Sequence, residues 1–358
     1  MKNKKNMSKA SRDSFINYGI IVLFFIVIKT LKSAGMLSNN FTGQLVPICA
    51  YVVMALSLNL VVGISGELSL GHAGFMSVGA FTGVVVSTWL ASAVTNGPLR
   101  LAIAIAVAAL LAAIAGVIIG IPVLRLQGDY LAIVTLAFGE IIKNVMNCMY
   151  IGYNSTGLHI SMTDTNAGMP VGEGTIIVNG PMGAMGISKL SGLTSGVILI
   201  LIVQFIIQNL VNSRSGRAIK AIRDNRIAAE ASGLNITKYK LMAFVTSAAM
   251  AGAGGALYGL NFSTIVPKKF DFNTSILILV FVVLGGIGNL RGSIIATAIL
   301  TVLPELLRAF SDYRMLVYAI VLILVMLGTN NAKAKAMINT IFDKIIGTFK
   351  KKEGTANE

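Results

Sequence analysis

Charge is what this chain has least of. Only 12% of its 358 residues are Asp, Glu, Lys or Arg, and 55% are hydrophobic. A soluble domain carries about 25% charged residues. A surface so poor in charge excludes an ordinary water-soluble globular protein. The apolar residues come in continuous runs rather than ten-residue alternations, which excludes a β-barrel. The expected class is all-α: a polytopic transmembrane helix bundle. Cysteine is scarce too. Cys49 and Cys148 lack metal-ligand spacing and form no disulfide framework; they read as small hydrophobes within spans. Two histidines, His72 and His159, are too few for a metal site. No G-x-x-x-x-G-K-[ST] and no G-x-S-x-G are present. No catalytic residue, metal or cofactor is therefore expected, and any nucleotide site belongs to another chain. The net charge of +15 comes without aromatic–basic nucleic-acid motifs. It reads as Lys and Arg gathered in cytoplasmic loops, with no nucleic-acid partner.

What is there is mostly membrane-length apolar sequence. About 20 apolar residues cross a bilayer. Ten spans are expected, at 15–31, 43–63, 73–94, 100–121, 130–149, 193–212, 241–262, 274–290, 293–309 and 314–328. The last pair but one is joined by almost nothing, so a tight hairpin or a re-entrant piece is expected there. The basic N-terminus, 1–14, precedes an apolar stretch and imitates a signal peptide. No small-x-small cleavage site follows, so it reads as a retained first helix. With both termini inside, the inner segments hold 20 of the 29 Lys and Arg, in agreement with the positive-inside rule. The transmembrane body is 15–328. A basic tail at 329–358 repeats Met337, Ile338, Ile341, Phe342, Ile345, Ile346 and Phe349 at helical spacing, as a helix on the inner leaflet does. The longest outward loop, 150–192, is too long for a mere connector. It is either a lid or docking site, or a floppy loop.

Three features carry chemistry. The loop 213–240 holds Arg214, Arg217, Lys220, Arg223, Arg226, Lys238 and Lys240 against only Asp224 and Glu230. Between Gly216 and Gly233 it lacks Gly and Pro, so a short helix with glycine start and stop signals is expected on the cytoplasmic face, a handle for a soluble partner. The second feature is Gly63–Gly83, with six glycines in 21 residues. Such density predicts a broken helix, and unwound backbone in a membrane is tolerated where it is buried or lines a cavity. Gly66, Ser69, Gly71, His72 and Gly74 are candidate pathway residues whose N–H groups and side chains could hold a carboxylate. Close packing through small residues is the alternative. The third feature is intramembrane charge. Glu140 and Lys143, like Glu305 and Arg308, stand three residues apart, as functional groups or as self-neutralising pairs.

Four stretches carry a resemblance: GELSLGHAGFMSVGAF (66–81), VLRLQGDYLAIVTLAFGEIIKN (123–144), SGRAIKAIRDNRIAAEASGLNITKYKLMAFVTSAAMAGAGGALYG (215–259) and FVVLGGIGNLRGSIIATAIL (281–300). In this order they resemble the membrane permease subunits of branched-chain amino-acid ABC transporters, over about residues 45–328. The resemblance implies a multi-pass importer of the bacterial cell membrane. Its partners would be a second homologous permease, two cytoplasmic ABC ATPases and an external substrate-binding protein. It implies ATPase coupling through Gly216, Arg217, Arg223, Asp224, Ala229, Glu230 and Gly233. The pathway of such a machine is expected along the glycine-rich segment and Asp129, Tyr130, Thr135 and Glu140. One stretch departs from the pattern. Where the family has Thr-Gly-Gly-x-x-Gly, this chain has Asn154-Ser155-Thr156-Gly157-Leu158-His159. Nucleosides and urea or short amides are alternative cargoes. A proton-coupled carrier and a non-transporting receptor are the alternatives of another class.

Overall fold

The computed structural model describes residues 9–35, 39–126, 128–154, 157–170 and 174–307, with isolated positions between 316 and 323. The chain divides into two compact units, residues 1–299 and 300–358, and the contacts below lie within the first. Spans 314–328 and the tail 329–358 lie outside the described residues apart from those isolated positions.

The helices are α1 (Lys9–Ser33), α2 (Asn39–Asn59) with a π-helical turn Leu60–Ser65, α3 (His72–Trp89), α4 (Gly97–Val123), α5 (Asp129–Asn147), α6 (Leu193–Asn212), α7 (Arg214–Asp224), α8 (Arg226–Ala231), α9 (Ile236–Gly259), α10 (Phe272–Gly285) and α11 (Leu290–Leu306). Among the described residues, four helices are long and apolar enough to cross a membrane: Phe41–Ser65, Gly97–Val123, Leu193–Asn212 and Ile236–Gly259. α10 and α11 meet through the turn at Gly286–Asn289, where Gly286 and Gly288 adopt positive φ of 91° and 81°. This is the tight connection expected there.

α9 is the central element, and small residues put it there. Helices without a water-driven hydrophobic pull associate where their backbones approach closely. Ala104, Ala108, Ala112 and Gly116 of α4 repeat every four residues and are buried. A Cβ on Gly252 of α9 would lie 2.3 Å from Ala112 Cβ, and one on Gly79 of α3 would lie 2.0 Å from the Gly252 carbonyl oxygen. Gly83 meets Ala256, and Gly255 meets Met76, in the same way. The opposite face of α4 exposes Leu110, Leu111, Ile114, Val117 and Ile118, as a lipid-facing stripe does.

The all-α expectation is corrected by a small sheet. β1 (Tyr150–Asn154), β2 (Gly157–Ser161), β3 (Thr175–Asn179), β4 (Ala184–Met185) and β5 (Thr264–Ile265) form one antiparallel sheet in the order β2-β1-β3-β4-β5. Short β-branched and aromatic runs such as YIGYN and TIIVN, set between glycine turns, favour strands over helix. The loop at 150–192 is thus ordered structure tied to α9 and α10 through β5. Leu190 and Ile187 bond back to the carbonyls of Leu260 and Ser263. α6 then runs 20 residues, about 30 Å, from the sheet straight into α7. Sheet and α7 therefore sit at opposite ends of the bundle.

Asp271 caps α10, accepting from Thr274 N–H at 3.0 Å. Burial pushes its pKa up, but the bonds from the Thr274 backbone, Asn273 and the Thr274 side chain, with the charge of Lys143, outweigh this and hold it below the ordinary 3.8. The depressed folded value means the charged cap stabilises fully above the unfolded pKa and is lost as pH falls through the folded one. We predict that Asp271→Ala lowers stability by about 1 kcal/mol at pH 7. Melting curves of mutant and wild type in detergent should converge as pH falls through the folded-state pKa of Asp271; a gap that persists once the carboxyl is protonated would refute the assignment. We also predict that Gly252→Val lowers the melting temperature sharply, by the ~1–3 kcal/mol or more of an overpacked core. Gly43→Ala inside α2, with open space around it, should not lower the melting temperature.

Candidate functional site

The charged loop folds into two helices rather than one. Ser213, not Gly216, starts the first, accepting the Gly216 N–H at 3.1 Å. Gly216 is there for closeness: a Cβ would lie 2.2 Å from Leu210 O. The expected single helix breaks at Asn225, whose extended backbone and side-chain oxygen, accepting from Ala228 N–H at 3.0 Å, restart it as α8. Asn is a strong cap, and the cost of breaking is offset by packing. Ile222, Ala229 and Ile236 bury together, with Leu234 and Tyr239 against them. Gly233 ends α8 with φ +81°, the left-handed stop that favours glycine. Asn235 then caps α9. α7, α8 and the first turn of α9 thus share a small core of their own.

The sequence-predicted coupling residues separate into two faces. Gly216 and Ala229 are buried, Ala229 in the unit's own core, while Arg217, Glu230 and Gly233 are exposed. Ile227 stands 82% exposed between Arg226 and Ala228. A large apolar side chain thus stands at the tip of a basic loop. Ile227 was not singled out from sequence, where it is one apolar residue among helix formers.

Arg223 faces the other way. Its Nη1 donates to the Gly63 carbonyl at 2.8 Å, and its Nε and Nη2 hold Asp224 at 3.0 and 2.9 Å. Gly66 has φ +77°, and a Cβ there would lie 2.6 Å from Arg223 Cγ. A second tether joins Lys240 Nζ to Glu67 Oε1, with side chains only 11% and 10% exposed. Removing one partner of such a pair leaves a buried charge and costs about 3–5 kcal/mol. Sequence named Gly63 and Lys240 only as members of their segments, left Glu67 out and paired none of them; the partners lie 160 and 173 residues apart.

The glycine-rich segment is broken as expected. After the π-turn, Gly66 reverses the chain, residues 67–71 run without regular structure, and α3 begins at His72. The freed backbone donors are used: Leu70 N–H reaches Thr135 Oγ1 at 3.0 Å, and Ala73 N–H reaches Ser275 Oγ at 3.1 Å. Gly71 packs on the Thr135 carbonyl and Gly74 on Gly139. His72 is buried, its Nε2 2.7 Å from Ser57 Oγ. Ser57 Oγ also lies 2.8 Å from Met54 O. Ser69 Oγ and Ser77 Oγ are buried without a partner among the described residues. In this conformation packing and hydrogen bonding account for Gly71, His72 and Gly74.

Of the α5 residues, Thr135 lies against this segment. Glu140 pairs with Lys143 and accepts the Phe272 N–H at 3.2 Å. Asp129 and Tyr130 lie at the far end of α5, exposed, Tyr130 by 73%, and the structure does not bring them to the broken segment. At 100° per residue, Asp129, Glu140, Lys143, Asn144 and Asn147 fall within an arc of about 100° along α5. That is a polar stripe on a helix otherwise apolar. Of the other charged pair, Glu305 has an interaction partner, and Arg308 lies outside the described residues.

The chain matches the family described as branched-chain amino acid transport system, permease component, over residues 40–326. It is 36% identical over 290 residues to the high-affinity branched-chain amino acid transport system permease protein LivM of Escherichia coli K12, covering 77% of this chain and 66% of the relative. It thus spans just under two thirds of that relative's length. The high-affinity branched-chain amino acid transport system permease protein LivH of Salmonella typhimurium is 35% identical over 32% of this chain and 38% of its own. The ribose import permease protein RbsC of Escherichia coli K12 is 26% identical over 87% of this chain and 91% of its own. No solved structure matches the chain. With most of its length matched and LivM more than a third identical, the chain belongs to the family of permease components of branched-chain amino acid transport systems.

Proposed function

We propose that this chain is the permease subunit of an ATP-driven ABC importer for branched-chain or other aliphatic amino acids in the bacterial cytoplasmic membrane. The observation that carries it is the self-contained α7–α8 unit, which exposes Ile227 on one side and holds the broken pathway segment through Arg223 on the other. A motor that is absent from the sequence has a surface to push on there. The partners are a second homologous permease, two ABC ATPases and an external binding protein. The match to LivH, by name a permease protein of a high-affinity branched-chain amino acid transport system as LivM is, supports the permease pair. Ten spans with both termini inside remain our topology; the α7–α8 unit then faces the cytoplasm and the sheet faces outward, where a binding protein docks.

The pathway runs along the broken segment, with Gly66, Ser69, Gly71, His72 and Gly74, and along the polar stripe of α5. A stripe holding Glu140 and Lys143 is costly against lipid, and it suits a path or a permease–permease seam. Asp129 and Tyr130 belong at its inner mouth, and Thr135 and Glu140 beside the broken segment. ATP drives the exchange of inward- and outward-facing states only through its different affinity for the two. The match to a ribose import permease favours, as a second reading, a nucleoside cargo on the same machine.

Proteoliposomes holding both permeases and the ATPases, with the binding protein outside, should take up labelled leucine only when ATP is inside. Uridine uptake without leucine uptake would select the second reading, and uptake driven by a proton gradient alone would overturn both. We predict that Ile227→Glu weakens co-purification of the ATPases by ~30-fold, as losing an interface anchor of about 2 kcal/mol does, while insertion and melting temperature stay unchanged. Undiminished co-purification would show that Ile227 is not in the interface.

A further inference from the structure

We infer that Glu67 and Lys240 are positioning residues for transport: their buried ion pair, together with the Arg223–Gly63 bond, fastens the pathway segment to the coupling unit so that motion of one is motion of the other. This rests on the proposed function. The coupling unit is stiff, capped at Ser213, Asn225 and Asn235 and packed on Ile222, Ala229 and Ile236. Two polar arms, Arg223 of α7 and Lys240 of α9 directly after the turn packed on the unit, reach one short stretch of chain. Arg223 holds Gly63, and Lys240 holds Glu67.

A stretch held at one point can swivel about that bond. Held at two points four residues apart, it follows rotation as well as displacement. The absent side chain of Gly66 lets Arg223 lie flat on the turn between the two points. Beyond Glu67 the displacement has two exits. The Leu70–Thr135 bond leads to α5, and the Ala73–Ser275 bond leads to α10. One buried pair therefore links the surface a motor would press to the elements lining the path.

A pair that served only to hold the fold would show in stability alone. The test compares Glu67→Gln, Lys240→Met and the exchange Glu67→Lys with Lys240→Glu in the reconstituted complex, measuring leucine uptake, ATP hydrolysis and melting temperature on the same preparations. The single variants should lower leucine carried per ATP by about tenfold, within the usual range of coupling between sites, with the ATPases still bound and ATP hydrolysis within about twofold of wild type. The exchange should restore that ratio to within about threefold. If a single variant fails to accumulate, Glu67→Met with Lys240→Met leaves no unpaired charge, and it should assemble and hydrolyse ATP yet transport poorly. Wild-type leucine per ATP in the single variants or the double Met variant overturns the inference. So does parallel loss of transport, hydrolysis and melting temperature with no recovery in the exchange. Absence of ATP-driven uptake by the wild-type complex would instead refute the proposed function.

Discussion

A backbone that stops being helical between membrane helices must find a partner for each freed N–H and C=O, because lipid offers none. That requirement organises this molecule. Residues 66–71 leave the helix, and the elements around them are placed to answer. Thr135 of α5 takes the Leu70 N–H, Ser275 of α10 takes the Ala73 N–H, and Arg223 of α7 gives to the Gly63 carbonyl. The close approach of α5 follows from the same need. Gly71 and Gly74 lie on Thr135 and Gly139, where any side chain would hold the helices apart. The polar ties that keep the break satisfied are also the ties that make it sensitive to α7.

How much of this was legible in the sequence depended on the range of the interaction. The broken helix at Gly63–Gly83 was readable because glycine density is a local property. The stop at Gly233 was equally local. The break at Asn225 was missed because helix-forming residues surround it, and the gain that reverses their preference comes from burial of Ile222 and Ala229 against Ile236. The sheet was missed for another reason. β5 comes from residues 264–265, about eighty residues beyond β4, and its partner strands are too short to stand out from a loop. The Glu67–Lys240 pair left no trace at all, since nothing in sequence links residues 173 apart.

The bundle combines two kinds of contact that serve different ends. Around α9 the contacts are apolar and close, with Gly79, Gly83, Gly252 and Ala256 setting backbones against one another. Such packing is specific and stiff. Around the broken segment polar ties are added to close contacts: Arg223, Lys240, Thr135 and Ser275 bond it, while Gly71 and Gly74 lie directly on α5.

The π-turn at Leu60–Ser65 adds a further consequence. A π-turn holds one residue more than the α-helical turn it interrupts. If the extra residue is expelled, everything that follows rotates by about 100° and shifts by about 1.5 Å along the axis. Asn59 stands directly before the turn and holds Ser293 and Gly288, while Gly66 stands directly after it. Both sides are anchored, the second through Glu67 to Lys240 and through Leu70 to Thr135, so a change of winding in α2 must either break these ties or carry α5 and α9 with it.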